Sequence, residues 1–286
     1  MRTTAGTTQE DLDVLDDEEL AASAERNAKF DSGLFVGSVE KAFEVLRVLS
    51  AAPTPLGLSE VVKISGMGKS AAQRFLHTLS ALGYIRQDKE TKAYSITARV
   101  LDLAQSYLGV DGLREKASHF LRAVNLKTEE TVNLTVLDRL SVLYLMRYQG
   151  FHDISVELSI GSKLPAFCTA PGRVILAFLE DAESSWVLEK SDIKAYTPYT
   201  ITDKSKIIGT LAGIRRDGYF ISNQEAFVGD ISIAAPIFNF AGRVIGAVNI
   251  AVSTSRWSTD KVRDKLMPVT VAVAADISAA MGFPKN

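Results

Sequence analysis

The stretch LSEVVKISGMGKSAAQRFLHTLSALGYI, residues 58–85, holds two short helical patterns separated by a glycine-marked turn. Leu58–Ser65 reads as a short helix, capped by Ser59 or the preceding turn. Gly66 stops it, because glycine takes the left-handed conformation that closes many helices without a steric cost. Gly68 then precedes a second helix in which Ala72, Phe75, Leu76, Leu79 and Leu82 share one face, and Gly83 ends it. The opposite face is polar: Ser70, Gln73, Arg74 and His77 recur at helical spacing, with Lys69 in the first turn.

Working outward, Ser38–Ser50 carries an apolar stripe of Val39, Ala42, Phe43, Leu46 and Leu49, and the two prolines of AAPTPLG break it. On the other side, Tyr84–Arg86 and Ala93–Ile96 read as short strands around the charged turn DKETK. Helix, helix, turn, helix and hairpin over residues 38–96 is the order of a winged helix-turn-helix.

Charge is divided unevenly along the 286 residues. Residues 1–33 hold nine acids and three bases and read as a flexible acidic arm, with at most a short helix over Asp11–Ala28. Residues 34–99 hold nine bases and five acids, while residues 100–286 are balanced at 20 of each. A small basic module beside a larger neutral one fits nucleic-acid contact joined to a different task. The single cysteine, Cys168, excludes an internal disulfide framework. No apolar run reaches the ~20 residues of a membrane helix and no signal peptide opens the chain, so a cytoplasmic location without a membrane partner is expected.

Beyond the hairpin, Ala98–Leu108 resumes a helical pattern and links the two halves. Leu113–Leu126 is an amphipathic helix. Thr131–Leu137 and Val142–Tyr148 read as strands turned at Asp138-Arg139, and Ile154–Leu158 alternates like another. Pro171-Gly172 opens the helix GRVILAFL, a second helix covers Ala182–Lys190, and Thr202-Asp203 caps Lys204–Arg216. Tyr219–Ser222, Ser232–Phe238 and Val244–Ser253 follow as strands, and Thr259–Met281 closes the chain as one helix. Helices flanking a mostly antiparallel sheet make the class α+β. The boundaries read as arm 1–33, winged helix-turn-helix 34–97, linker helix 98–112 and effector domain 113–286.

The polar helix face suits duplex DNA. Arg74 can donate two hydrogen bonds to guanine, Gln73 can pair with adenine, and Lys69 and Ser70 suit phosphates. His77 is either a contact or a bland surface histidine. Arg86, Lys89 and Lys92 put positive charge on the hairpin that would serve as the wing.

With these residues in place, the sequence resembles the isocitrate-lyase-regulator (IclR) family of bacterial transcription factors over about Gly37 to Met281. The likeness is carried by SVEKAFEVLRVLS and the 58–85 stretch, then by EETVNLTVLD, GSKLPAFCTAPGRVILAFL, YTPYTITD, RRDGY and EAFVGDISIAAPIFNFAGRVIGAVNIAVS. TPYTITD and NIAVSTSRW look closest to the branch controlling aromatic-acid catabolism through protocatechuate and β-ketoadipate. The resemblance implies a winged-helix domain, a linker helix, a GAF-like effector domain, and homodimers or homotetramers on an operator. It places an effector pocket at Thr169, Ala170, Pro171 and Gly172, at Ser222, Glu225 and Ser232, and at Asn249 and Ala251. Ser222 and Ser232 stand where relatives that bind small keto acids carry Asp and Cys, and Asn249 and Ala251 stand where those carry serines. Ala71 stands where relatives often carry Thr. A different ligand is therefore expected, and a small organic acid fits a helix start whose unpaired N–H groups favour a carboxylate.

Two rival classes compete with this reading. An enzyme would use Cys168 as nucleophile, but His77, His119 and His152 form no motif with it, and Glu129-Glu130 reads as a solvated turn. A protein-contact or dimerisation module would not need the basic helix face. No metal or cofactor is expected, since no His/Cys/carboxylate group shows ligand spacing. Trp186 and Trp257 read as partial core residues.

Overall fold

Residues 34–103, 112–151 and 158–284 are described by a computed structural model. Contacts divide the chain into two units, Met1–Gln105 and Ser106–Asn286. The acidic arm 1–33, the linking helix beyond residue 103, His152 and all but the last residue of the strand expected at Ile154–Leu158 lie outside the described residues.

The first unit contains helices α1 (Gly37–Ala51), α2 (Leu58–Ser65) and α3 (Lys69–Ala81), then strands β1 (Ile85–Gln87) and β2 (Tyr94–Ile96). Of the two expected caps of α2, the preceding turn provides it: Gly57 is the cap residue, and Glu60 accepts from its N–H at 2.7 Å. Gly66 stops the helix in the left-handed region with φ 67°. Val45, Val48 and Leu49 of α1 pack with Val61, Leu76, Leu79 and Ile85 in one core. Burying each such side chain is worth ~1.5–3 kcal/mol. The α1 stripe read from sequence meets the core only in its second half: Leu46 and Leu49 pack there beside Val45 and Val48, whereas Val39 and Phe43 are each 53% exposed. Both sets satisfy helical spacing, and only the packing of α2 and α3 selects between them. The hairpin β1–β2 is antiparallel, and Leu56 exchanges both backbone hydrogen bonds with Tyr94 beside it.

The second unit is built on a six-stranded antiparallel sheet of order β5-β4-β3-β8-β7-β6. Its strands are β3 (Thr131–Asp138), β4 (Ser141–Tyr148), β5 (Lys163–Pro165), β6 (Phe220–Asn223), β7 (Asp230–Phe238) and β8 (Val244–Ser253). The helices are α4 (Leu113–Thr128), α5 (Ala170–Phe178), α6 (Asp181–Lys190), α7 (Lys204–Asp217), α8 (Thr259–Lys265) and α9 (Met267–Ala280). Alternation divides the sheet into two faces. Val132, Leu134, Val248, Ile250, Ile231 and Ile233 pack with Ala117 and Leu121 of α4 and with Val273 and Ile277 of α9. The other face meets α5 and α7 through Val142, Tyr144, Ala234 and Ala247.

Three sequence readings are corrected here. The single closing helix is two, α8 and α9, because Pro268 lacks the N–H a continuous helix needs and sits in the first turn of α9, where none is required. Strand β5 is absent from the sequence reading; its three residues are too few for a readable pattern. Trp186 is 47% exposed rather than part of the core, whereas Trp257 packs against it.

Helix α5 begins one residue before the expected Pro171, with Thr169 as its cap accepting from the Gly172 N–H at 3.3 Å. A Cβ on Gly172 would stand 2.1 Å from the Ala166 carbonyl oxygen, so only glycine lets α5 lie against the preceding 3-10 turn, Ala166–Cys168. Gly172→Ala is accordingly expected to cost about 1–3 kcal/mol of stability through overpacking, measured as a lower urea midpoint with an unchanged slope.

Candidate functional site

The first unit presents one polar surface. Lys69, Ser70, Gln73, Arg74 and His77 of α3 are all exposed, on the side of the helix opposite buried Ala72, Leu76 and Leu79. Among the described residues none of these five side chains has a hydrogen-bond or ion-pair partner within the chain. Arg86, Lys89 and Lys92 of the hairpin are exposed too, with Arg86 donating to Ser95 Oγ at 3.3 Å. The hairpin tip is held by Asp88, whose carboxylate accepts from the Thr91 N–H at 2.8 Å and the Glu90 N–H at 3.0 Å. Those bonds keep its pKa below the usual carboxylate range, Thr91 contributing most. A basic, unpartnered helix face beside a basic hairpin is competent to meet a polyanion.

The second unit holds a partly open cavity of about 260 Å³ between α5 and the polar face of the sheet. Seven of the nine residues read from sequence line it: Thr169, Ala170, Pro171, Ser222, Ser232, Asn249 and Ala251. Asn249 Nδ2 donates to Ser232 Oγ at 3.0 Å across the β7–β8 pair, leaving Asn249 Oδ1 buried without a partner. Gly172 and Glu225 stand behind this wall rather than in it. The start of α5 also offers fewer donors than its sequence suggests, because Thr169 occupies the Gly172 N–H and Pro171 has none.

Glu225 instead meets Arg173 of α5, which is 0% exposed. Arg173 donates to Glu225 Oε2 at 2.6 Å and to the Phe167 carbonyl at 2.7 Å, and its guanidinium lies 5.1 Å from the centre of the Phe220 ring. Burial pushes the Glu225 carboxyl up and the Arg173 guanidinium down, and each charge opposes the other's shift.

Sequence reasoning missed the charged members of the cavity. Arg147 of β4 and Asp230, the first residue of β7, both line it. Arg147 Nη1 donates to Asn133 Oδ1 at 3.2 Å. Burial pushes Asp230 up to about 7, against the pull of Arg147. Burial likewise holds the Tyr144 phenol above its ordinary range. Glu130, expected in a solvated turn, is 3% exposed. It accepts from Arg256 through two bonds of 2.8 Å and from Trp257 Nε1 at 2.7 Å. These partners lie more than a hundred residues away, so nothing local signals the pair. The Cys168 thiol is buried, and burial pushes it up to about 12, the reverse of what a nucleophile requires.

Both units are similar to known proteins. Residues 38–89 match the family model described as IclR helix-turn-helix domain, and residues 105–279 match the bacterial transcriptional regulator IclR C-terminal model. The chain is 30% identical to the Pca regulon regulatory protein of Pseudomonas putida, covering 85% of this chain and 83% of that one. It is 32% identical to the HTH-type transcriptional regulator KdgR of Escherichia coli K12, covering 92% and 98%. Among solved structures, the Thermotoga maritima IclR superposes with a TM-score of 0.70 at 27% identity, covering 86% of this chain and 99% of that one. An IclR homologue from Microbacterium hydrocarbonoxydans, complexed with 4-hydroxybenzoate, has a TM-score of 0.74 at 21% identity, covering 85% and 98%.

Glu225→Gln leaves a buried guanidinium without its counter-charge and is expected to cost about 3–5 kcal/mol, read from denaturant unfolding. The raised pKa of Asp230 gives a second expectation. Between its ordinary 3.8 and its folded value of about 7, the folded chain holds this proton more tightly than the unfolded one. The associated stability is therefore present at low pH and lost as pH rises through 7. The melting temperature of Asp230→Asn minus that of wild type should climb between pH 4.5 and pH 8, by roughly 2–4 °C for each kcal/mol recovered; a flat difference would show that the carboxyl titrates normally.

Proposed function

The chain belongs to the IclR family of bacterial transcriptional regulators, and on that premise we propose that it binds an operator through α3 and adjusts that binding to a small organic acid held in the cavity. The observation that carries the reading is the exposed face of Lys69, Ser70, Gln73, Arg74 and His77, whose opposite side alone is spent on the core. Set into a major groove, Arg74 would read guanine and Gln73 adenine, while Lys69 and Ser70 hold phosphates. His77 would extend the same face, and Arg86, Lys89 and Lys92 would place the hairpin against the backbone.

The effector assignment is supported by seven of the nine expected residues bounding one cavity. Its size suits a small acid, and the family relative complexed with 4-hydroxybenzoate makes an aromatic acid a reasonable member of the class. The domain assignment that goes with this reading is DNA binding over 34–97, a linker over 98–112 and effector binding over 113–286. A homodimer or homotetramer acting in the cytoplasm completes it, because paired recognition helices require half-sites about 34–36 Å apart.

Arg74→Ala should weaken operator binding by about 1–3 kcal/mol and relax sequence preference while leaving the melting curve unchanged. Fluorescence anisotropy with promoter DNA over a salt series checks this. A chain that neutralises phosphates loses affinity with a slope near −0.9 per contact in log K against log salt. A flat slope, or equal affinity in the variant, would point to a protein-contact module instead.

A further inference from the structure

The winged-helix unit leaves its positive charge unmet. Residues 34–99 hold five acids, and three of them are spent locally: Glu44 pairs with Arg47, Glu60 caps α2 and Asp88 holds the hairpin tip. Among the described residues the side chains of Lys69 and Arg74 on α3, and of Lys89 and Lys92 on the hairpin, have no hydrogen-bond or ion-pair partner. Such a surface attracts any polyanion within reach, and DNA is only one of them.

A second polyanion belongs to the chain itself. Seven of the ten residues from 10 to 19 are Asp or Glu, and no Lys or Arg interrupts positions 3–25. Glu19 lies eighteen residues before Gly37, where α1 begins, and a chain of that length spans up to about 60 Å. Helix α3, with 13 residues, is only about 20 Å long. Helix α1 shares one core with α3, through Val45, Leu49, Leu76 and Leu79, so the arm is attached to the same packed unit that carries the basic face. A segment tethered at such range acts at an effective concentration of about 1 mM.

Resting on the DNA-binding reading above, we propose that the acidic stretch 10–19 docks on the basic face of α3 and the hairpin and competes there with DNA. A duplex must displace the arm before its phosphates reach Lys69, Lys89 or Lys92. Unrelated DNA has phosphate contacts alone to set against that loss, whereas an operator adds base contacts at Gln73 and Arg74. The arm lowers both affinities by one factor. That factor carries weak binding to unrelated DNA below the level that would occupy the chain, while operator binding survives. Because the basic face is exposed, the contact is screened by salt, with a Debye length of about 10 Å at 0.1 M.

The test compares the full-length protein with a full-length variant carrying Glu10→Gln, Asp11→Asn, Asp13→Asn, Asp16→Asn, Asp17→Asn, Glu18→Gln and Glu19→Gln. Binding is read by fluorescence anisotropy on a labelled duplex of arbitrary sequence and on promoter DNA. At about 50 mM salt the amide variant should bind the arbitrary duplex about tenfold tighter, and at about 300 mM the gap should shrink to about twofold or less. A labelled peptide of residues 1–33 should bind the amide variant with a Kd of about 0.1 mM, the value that tenfold suppression at about 1 mM effective concentration requires. Adding Lys69→Ala and Arg74→Ala should weaken that peptide by about threefold to tenfold. Equal affinity of the two proteins for the duplex, or a gap that does not narrow with salt, overturns the inference. So does a tighter-binding variant that ignores the peptide, which leaves only repulsion at a distance, or a peptide indifferent to the α3 substitutions, which places it elsewhere. Each of these outcomes leaves the DNA-binding reading standing. If neither protein binds the duplex or promoter DNA at low salt, that reading falls and this inference with it.

Discussion

Arg173 is a positive charge with no access to water, and the second unit is organised around meeting its needs. A guanidinium cannot shed its proton to escape burial, and two of the three Arg173 nitrogens find acceptors inside the protein while Nη1 has none among the described residues. One is the Phe167 carbonyl of the 3-10 turn, another is Glu225 near the start of the β6–β7 connection, and the Phe220 ring covers the flat face. The 3-10 turn just before α5 and the β6 region far along the chain are thereby tied to the first turns of α5. The close approach of Gly172 to Ala166 completes the tie from the backbone side. Glu225 further accepts from the Ile201 N–H, while Thr200 donates to the Glu225 carbonyl, so the loop before α7 is drawn into the same knot. The roof of the cavity stands where it does because this ion pair holds it there.

Beneath that roof the sheet departs from the common pattern in which alternation means one dry face and one wet face. Both faces are covered, yet Thr131, Asn133, Thr135, Asn249 and Ser232 alternate with Val132, Leu134, Val248, Ile250 and Ile231 and are themselves buried. Thr131, Asn133, Asn249 and Ser232 of this set line the partly open cavity. Asn249 donates to Ser232, while its own Oδ1 keeps a valence unfilled among the described residues.

What the sequence disclosed and what it hid divide along physical lines. The helix-turn-helix was readable because Gly66, Gly68 and Gly83 punctuate it locally and because its polar and apolar residues repeat within one helix. Most of the cavity lining was reached through family resemblance, and the start of α5 through its proline. Arg147 and Asp230 were missed because their meeting depends on the register of four strands, which no local pattern encodes. Glu130 was misread for the same reason: adjacent acids usually mark a solvated turn, and its partners Arg256 and Trp257 follow a different strand. Along α1 two overlapping apolar stripes competed, and only tertiary packing chose Val45, Val48 and Leu49 over Val39 and Phe43. Gly172 and Glu225, read from sequence as pocket residues, do not line the space; they seat α5, through the close approach to Ala166 and the pair with Arg173.

The strict division of labour between odd and even positions along β3 and β8 bears on how such a binding site diversifies. Val132, Leu134, Val248 and Ile250 anchor the sheet to α4 and α9, whereas Asn133, Asn249 and Ala251 face the cavity and anchor nothing beyond it. Descendants of this gene can therefore exchange the inward set one side chain at a time and acquire new chemical tastes, with the scaffold's folding left largely undisturbed. The pegs can be swapped because the rack is bolted from behind.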